Sequence, residues 1–252
     1  MFDSHSHYGD ERFDEDRHEV LKRLFASSVT GIIEAGTDKK TSFEAFELSE
    51  KYDNMYFTAG IHPEFAEEIN EVREWLPGLL KKEKCVAIGE IGLDYHYDTP
   101  PKEVQIKAFE EQLRIAGETG KPVVIHDRDA HGDCLDMIRR HPEVKGVFHS
   151  FSGSSEMAKV LVRLGWYISF SGVVTFKNAV KTVEAASVVP LDRIISETDC
   201  PYLSPHPYRG QRNDSLLMAK TVEKLAEIKN VSVSEMEYIT SRNAKELFGI
   251  SG

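Results

Sequence analysis

The sequence predicts a (β/α)8 TIM barrel, one domain over residues 1–252 with an extra C-terminal helix. Three observations carry this. Short β-like runs alternate with longer amphipathic stretches, and eight such units in 252 residues match the ordinary size of this barrel. Several strand candidates, such as Val86–Ile88 and Val123–Ile125, are continuous apolar runs, as parallel strands covered on both faces require. No linker, low-complexity segment or charge block divides the chain. A doubly wound open sheet is the alternative, but its Gly-rich dinucleotide turn is missing.

In chain order the predicted strands are Met1–His7, Gly31–Gly36, Met55–His62, Cys85–Asp94, Pro122–Asp127, Gly146–Phe151, Trp166–Ser171 and Ile194–Thr198. Helices fill the intervals. Glu103–Glu118 sets Val104, Ile106, Ala108, Phe109, Leu113 and Ala116 on one broad face. Leu216–Ile228 is a second clear case, and the residues after Ser234 form the terminal helix, with Ser234 as its expected cap.

Composition limits the setting more than the chemistry. Hydrophobic residues make up 40% and charged residues 29%. No apolar run approaches the roughly 18–20 residues of a membrane span, so no membrane association is expected. The N-terminus lacks the basic and apolar regions of a signal peptide. Three scattered cysteines suit a reducing, cytoplasmic location. A net charge of -11 argues against coating nucleic acid with a broad basic surface, yet leaves room for local phosphate contacts.

The histidines and acids fall where barrel enzymes place their chemistry, at the C-terminal ends of strands. His5 and His7 end the first strand, and side chains two apart on a strand point to one side. Asp3 lies on the same side, one step deeper. His62 ends the third strand, Glu90 lies in Gly89-Glu90-Ile91-Gly92, His126 ends the fifth, His149 the sixth, and Asp199 follows the eighth. Singly, each has a plain structural explanation. Together they form a buried ionisable cluster that is costly without compensation, and a bound cation supplies it. Imidazole and carboxylate ligands without thiolate favour zinc, manganese or iron over calcium, with magnesium also compatible. Six candidate ligands exceed one tetrahedral site, so two divalent metal ions sharing Glu90 are expected, an arrangement suited to phosphoryl displacement.

These motifs resemble the TatD family of metal-dependent deoxyribonucleases, within the amidohydrolase-like barrels. The resemblance runs along nearly the whole chain, through Phe2-Asp3-Ser4-His5-Ser6-His7, Gly60-Ile61-His62-Pro63, Gly89–Tyr95, Pro122–Arg128, His149–Gly153 and, most specifically, Glu197-Thr198-Asp199-Cys200-Pro201-Tyr202. Arg209-Gly210-Gln211-Arg212-Asn213 follows, as the family's arginine-rich loop does. One departure is Asp129-Ala130-His131-Gly132-Asp133, where the family's acid is displaced by one residue.

The resemblance implies that His5, His7, Glu90 and Asp199 hold one ion, and that Glu90, His126 and His149 hold the second. The ions are zinc, magnesium or manganese. It makes Asp199 and Glu90 catalytic, Asp199 as proton acceptor from the attacking water. It offers His62, Arg128 and Arg209 as phosphate contacts, with Glu197 in a supporting role. For Arg209 and Arg212 the plain alternative is a solvated loop pairing with Asp214. Tyr202 either packs on a base or closes the barrel mouth. The implied activity is hydrolysis of DNA phosphodiesters, as an exonuclease on single strands or strand ends, with no obligate protein partner. A D-aminoacyl-tRNA deacylase or another ester or amide hydrolase is the rival reaction, and a metal-binding scaffold without turnover the rival class.

Overall fold

The computed structural model describes residues 1–97 and 99–251. Eight parallel strands pair in chain order, β1 to β8. They are β1 (Phe2–Ser6), β2 (Gly31–Ala35), β3 (Met55–Ala59), β4 (Cys85–Asp94), β5 (Val123–Arg128), β6 (Gly146–Phe148), β7 (Tyr167–Phe170) and β8 (Ile194–Ser196). The helices α1 (Arg17–Phe25), α2 (Lys39–Ser49), α3 (Val72–Leu80), α4 (Lys102–Thr119), α5 (His131–Arg140), α6 (Ser155–Arg163), α7 (Val180–Val188) and α8 (Met218–Lys229) follow the strands one by one. The extra helix is α9 (Val233–Phe248). This is the expected (β/α)8 barrel. The sheet closes just past the strand ends, where Asp199 N–H donates to His5 C=O (3.0 Å) and His7 N–H to Cys200 C=O (2.8 Å). Closure therefore runs through three candidate site residues, His5, His7 and Asp199.

The terminal helix decides which end of the barrel stays open. Phe2, Ile33, Val86, Val124, Val147, Tyr167 and Ile195, all from strands, cluster with Ala244 and Phe248 of α9. The Met1 ammonium also pairs with Glu237 of α9 at 2.7 Å. Thus α9 covers the N-terminal end of the strands and leaves the C-terminal end to the site. Its cap is Ser232, not Ser234. Ser232 has extended backbone angles, and its hydroxyl accepts from Glu235 N–H (3.2 Å), whereas Ser234 already lies in the first turn.

Helix α4 departs from the expected apolar face. Val104 and Ile106 are half-buried, while Gln105 and Gln112 are fully buried. Each glutamine satisfies backbone groups of a loop leaving a strand. Gln112 accepts from Ile61 N–H (2.7 Å) and donates to Ile61 C=O (3.0 Å). Gln105 accepts from Asp94 N–H (2.9 Å) and donates to Asp94 C=O (2.9 Å) and Pro100 C=O (2.8 Å). A buried amide so placed substitutes for water on backbone groups that cannot go unpaired. Among the described residues no helix is long and apolar enough to cross a membrane.

Candidate metal centre

The C-terminal ends of the strands surround a cavity of about 510 Å³. Glu90, inside β4 and buried, stands at its floor. Its Oε2 faces His5 Nε2 (3.3 Å) and His7 Nε2 (3.7 Å), while its Oε1 faces His126 Nδ1 (2.6 Å) and His149 Nε2 (2.8 Å). Asp199 Oδ1 lies 3.6 Å from His5 Nε2 and 3.4 Å from His7 Nε2. All six expected ligands therefore meet. Asp199 takes up φ +58°, a left-handed conformation that Asp tolerates better than most residues.

Local structure differs from the sequence reading at His7, His62 and His149. β1 ends at Ser6, one residue before His7. β3 ends at Ala59, so His62 is not on the strand. It caps the 3-10 stretch Pro63–Glu71, and its Nδ1 accepts from Glu64 N–H (3.2 Å). With Nδ1 occupied as acceptor, the ring proton sits on Nε2, which points toward Glu90 Oε1 at 3.6 Å. His62 is thus a hydrogen-bond donor at the floor. His149 lies just past the end of β6.

The donor set fits a cation. His5 Nε2 and His7 Nε2 approach to 3.1 Å beside Glu90 and Asp199, and His126 Nδ1 and His149 Nε2 to 3.3 Å on Glu90 Oε1. So many acceptor atoms aimed at one another need a positive charge between them. The tautomer of His126 is set from behind: Asp94 Oδ2, 3.1 Å from His126 Nε2, takes the ring N–H and turns Nδ1 inward. Glu197 Oε1 stands 3.3 Å from His149 Nδ1, close enough for charge pairing but without hydrogen-bond geometry. Three clusters, His5–His7–Glu90, His5–His149–Asp199 and His62–Glu90–His126, have geometry able to hold a metal.

Charge distribution follows the same arrangement. Burial alone would push Glu90 toward neutrality, but His149 and His5 hold its pKa well below the usual carboxylate range. Burial opposes the charged form of His7, yet the bond to Asp199 carries it up to about 9. His126 likewise rises to about 9, against burial, through Asp94 and Glu90. Burial, then repulsion from His126, lowers His62 to about 3. Burial also raises Asp199, but His7 keeps it below its ordinary value and ionised.

Other expected residues land in different places. Arg128 lines the cavity, 45% exposed, its Nη1 3.9 Å from Asp94 Oδ2. Arg209 is outside it, its guanidinium 4.0 Å from the centre of the Phe176 ring. Arg212 pairs with Asp16 (2.6 Å), and Asp214 with Arg23 (2.8 Å) rather than with Arg212. Asp3 does not reach the cluster. It accepts from Thr198 N–H (3.0 Å), Thr198 Oγ1 (2.7 Å) and Ser215 Oγ (2.7 Å), and burial raises its pKa to about 7 against these bonds. Tyr202 lines the cavity and donates to Asp10 Oδ2 (2.8 Å). In the loop that departs from the family pattern, Asp127 pairs with His131 (2.9 Å), and Asp133 accepts from Tyr95 (2.7 Å).

Two positioning acids escaped the sequence reading. Asp94 carries His126, as described. Glu34 of β2 is buried and accepts from Tyr8 N–H (2.8 Å), Gly9 N–H (2.7 Å) and Ser6 Oγ (3.1 Å), pinning the loop that presents His7. The available signal was an acid inside an otherwise apolar strand, Gly31-Ile32-Ile33-Glu34-Ala35.

A closed parallel barrel with imidazoles and carboxylates at its C-terminal mouth defines a metal-dependent hydrolase of the amidohydrolase-like fold. The comparisons narrow this class. The family described as TatD related DNase matches residues 2–249, and the chain belongs to this TatD family. It is 41% identical over 254 residues to YabD of Bacillus subtilis, an uncharacterized metal-dependent hydrolase, covering 100% of both chains. It is 37% identical over 255 residues to the uncharacterized metal-dependent hydrolase YcfH of Escherichia coli, covering 99% of this chain and 96% of the other. The crystal structure of YJJV, a TatD homolog from Escherichia coli K12, aligns with a TM-score of 0.92 at 29% identity, covering 100% of this chain and 98% of that one.

Proposed function

We infer that this hydrolase is a divalent-metal-dependent deoxyribonuclease, acting as an exonuclease on single strands or strand ends. The observation that carries the reading is Glu90, whose two oxygens each face a separate pair of histidines. One carboxylate so placed would serve two ions, one held with His5, His7 and Asp199, the other with His126 and His149. The family's description as a DNase supports the substrate. When bound, two such ions would lower the pKa of water and neutralise charge on a phosphoryl group; zinc and manganese suit the mixed imidazole and carboxylate donors, and magnesium a position where carboxylate and water dominate.

The chain's own residues do the rest. Asp199, ionised at neutral pH, accepts the proton of the attacking water on its carboxylate. His62 donates from Nε2 to a non-bridging phosphate oxygen. Arg128 offers paired N–H donors from the rim. Glu90 would hold the ions and also fixes the histidines around it. The cavity accepts a strand end, which an acidic protein can bind without a basic groove.

End-labelled single- and double-stranded DNA and RNA, incubated with magnesium, manganese or zinc, test this reading. Metal-dependent shortening of DNA is expected, and its loss in His126→Ala. Cleavage retained in purified His126→Ala, or inert nucleic acids alongside release of a D-amino acid from mischarged tRNA, would overturn the nuclease assignment.

A further inference from the structure

Seven large hydrophobic side chains are exposed among the described residues, and three of them, Phe65, Tyr97 and Tyr202, line the mouth of this one cavity. Exposed apolar residues scattered singly need no explanation, but their concentration at a binding mouth does. Tyr202 follows β8 and Tyr97 follows β4. In an eight-stranded barrel ordered β1 to β8, those strands are opposite one another, so the two rings stand on opposite sides of the opening.

Each tyrosine already carries a guanidinium. Arg12 Cζ lies 4.0 Å from the centre of the Tyr202 ring, and Arg128 Cζ 5.3 Å from that of Tyr97. Asp10 locks the first pair, accepting from Tyr202 Oη (2.8 Å) and Arg12 Nε (3.0 Å). That ring is therefore ordered before substrate arrives, so little further entropy is lost on stacking. Tyr202 also stands close to the centre, its ring 6.2 Å from that of His7.

The geometry points to a nucleobase-stacking rim, with Tyr202 and Tyr97 taking the bases nearest the scissile phosphate and Phe65 flanking them; it rests on the nucleic-acid reading above. The charge balance favours this chemistry. At a net charge of -11, with Arg12 neutralised by Asp10, phosphate attraction away from the metal centre is weak. Stacking on an aromatic face does not depend on net charge and accepts every base. The rim therefore selects substrates whose bases are unpaired beside the cleaved bond.

The test uses manganese-loaded protein and a short DNA strand bearing 2-aminopurine at either end, with fluorescence quenching read separately from cleavage. A matched strand ending in abasic sugars is the reference. Wild type and Tyr202→Phe should quench. Tyr202→Leu and Tyr97→Leu should lose quenching, and KM for the base-bearing strand should rise about five- to hundredfold, well beyond any change on the abasic strand. Quenching that persists in both leucine variants, or equal losses on the two strands, overturns the rim. Cleavage without quenching removes the rim and keeps the nuclease, whereas quenching without cleavage keeps the rim and removes the nuclease.

Discussion

Asp94→Asn is a nearly isosteric change whose effect can be worked out atom by atom. In the wild type, Asp94 Oδ1 accepts from His96 N–H (2.9 Å) and Oδ2 stands 3.1 Å from His126 Nε2. Both oxygens face donors. Asparagine has one oxygen and one NH2. If its oxygen stays with His96, its NH2 faces His126 Nε2, which must become an acceptor, and the ring proton moves to Nδ1. His126 Nδ1 is the atom 2.6 Å from Glu90, and once protonated it cannot ligate a metal. If the amide turns the other way, NH2 meets the His96 N–H, donor against donor. The first orientation keeps both bonds but inverts the tautomer, the second loses a buried bond, and Gln105 prevents the backbone from moving away. Loss of such a support costs about 10- to 100-fold in metal affinity, or about 1.4 to 2.7 kcal/mol. Calorimetric titration of metal-free protein with manganese or zinc measures this, with a melting curve to show the fold intact. Asp94→Asn that binds metal within twofold of wild type, with an unshifted pH–rate profile, would refute the tautomer argument.

Other outcomes follow from the same geometry. Glu90→Gln should remove both equivalents of bound metal, as counted by elemental analysis; one retained equivalent would show that Glu90 is not shared. In metal-free protein, His7 and His126 are raised to about 9, so their ion pairs stabilise the fold fully below the ordinary histidine pKa near 6.5, and that contribution is lost as pH rises through 9. Metal uptake must expel those protons, so affinity should climb with pH up to about 9, and titration heats at neutral pH should change with the ionisation enthalpy of the buffer. Arg128→Ala should impair DNA cleavage more than Arg209→Ala, because Arg128 lines the cavity and Arg209 stacks on Phe176; parallel kcat/KM values decide. Ser232→Ala should cost about 1 kcal/mol in urea unfolding, and Ser234→Ala less.

The sequence by itself determined the barrel and the identity of the clustered groups. Both rest on local pattern: alternating elements, apolar parallel strands, and polar residues such as His5, His126 and Asp199 at strand ends, which a closed barrel must point at one mouth. Tertiary structure decided how those groups are held and which neighbours join them. Asp94 meets His126 across the β4–β5 ladder, Glu34 of β2 pins the loop after β1, and Gln105 reaches back from α4 to the strand it follows. None of these partnerships has a periodic signature, because each depends on register and closure between separate segments. Arg209 and Tyr202 show the same limit. They are seven residues apart on one loop, but only the path of that loop over Phe176 and Asp10 places the arginine outside the cavity and the tyrosine at its mouth.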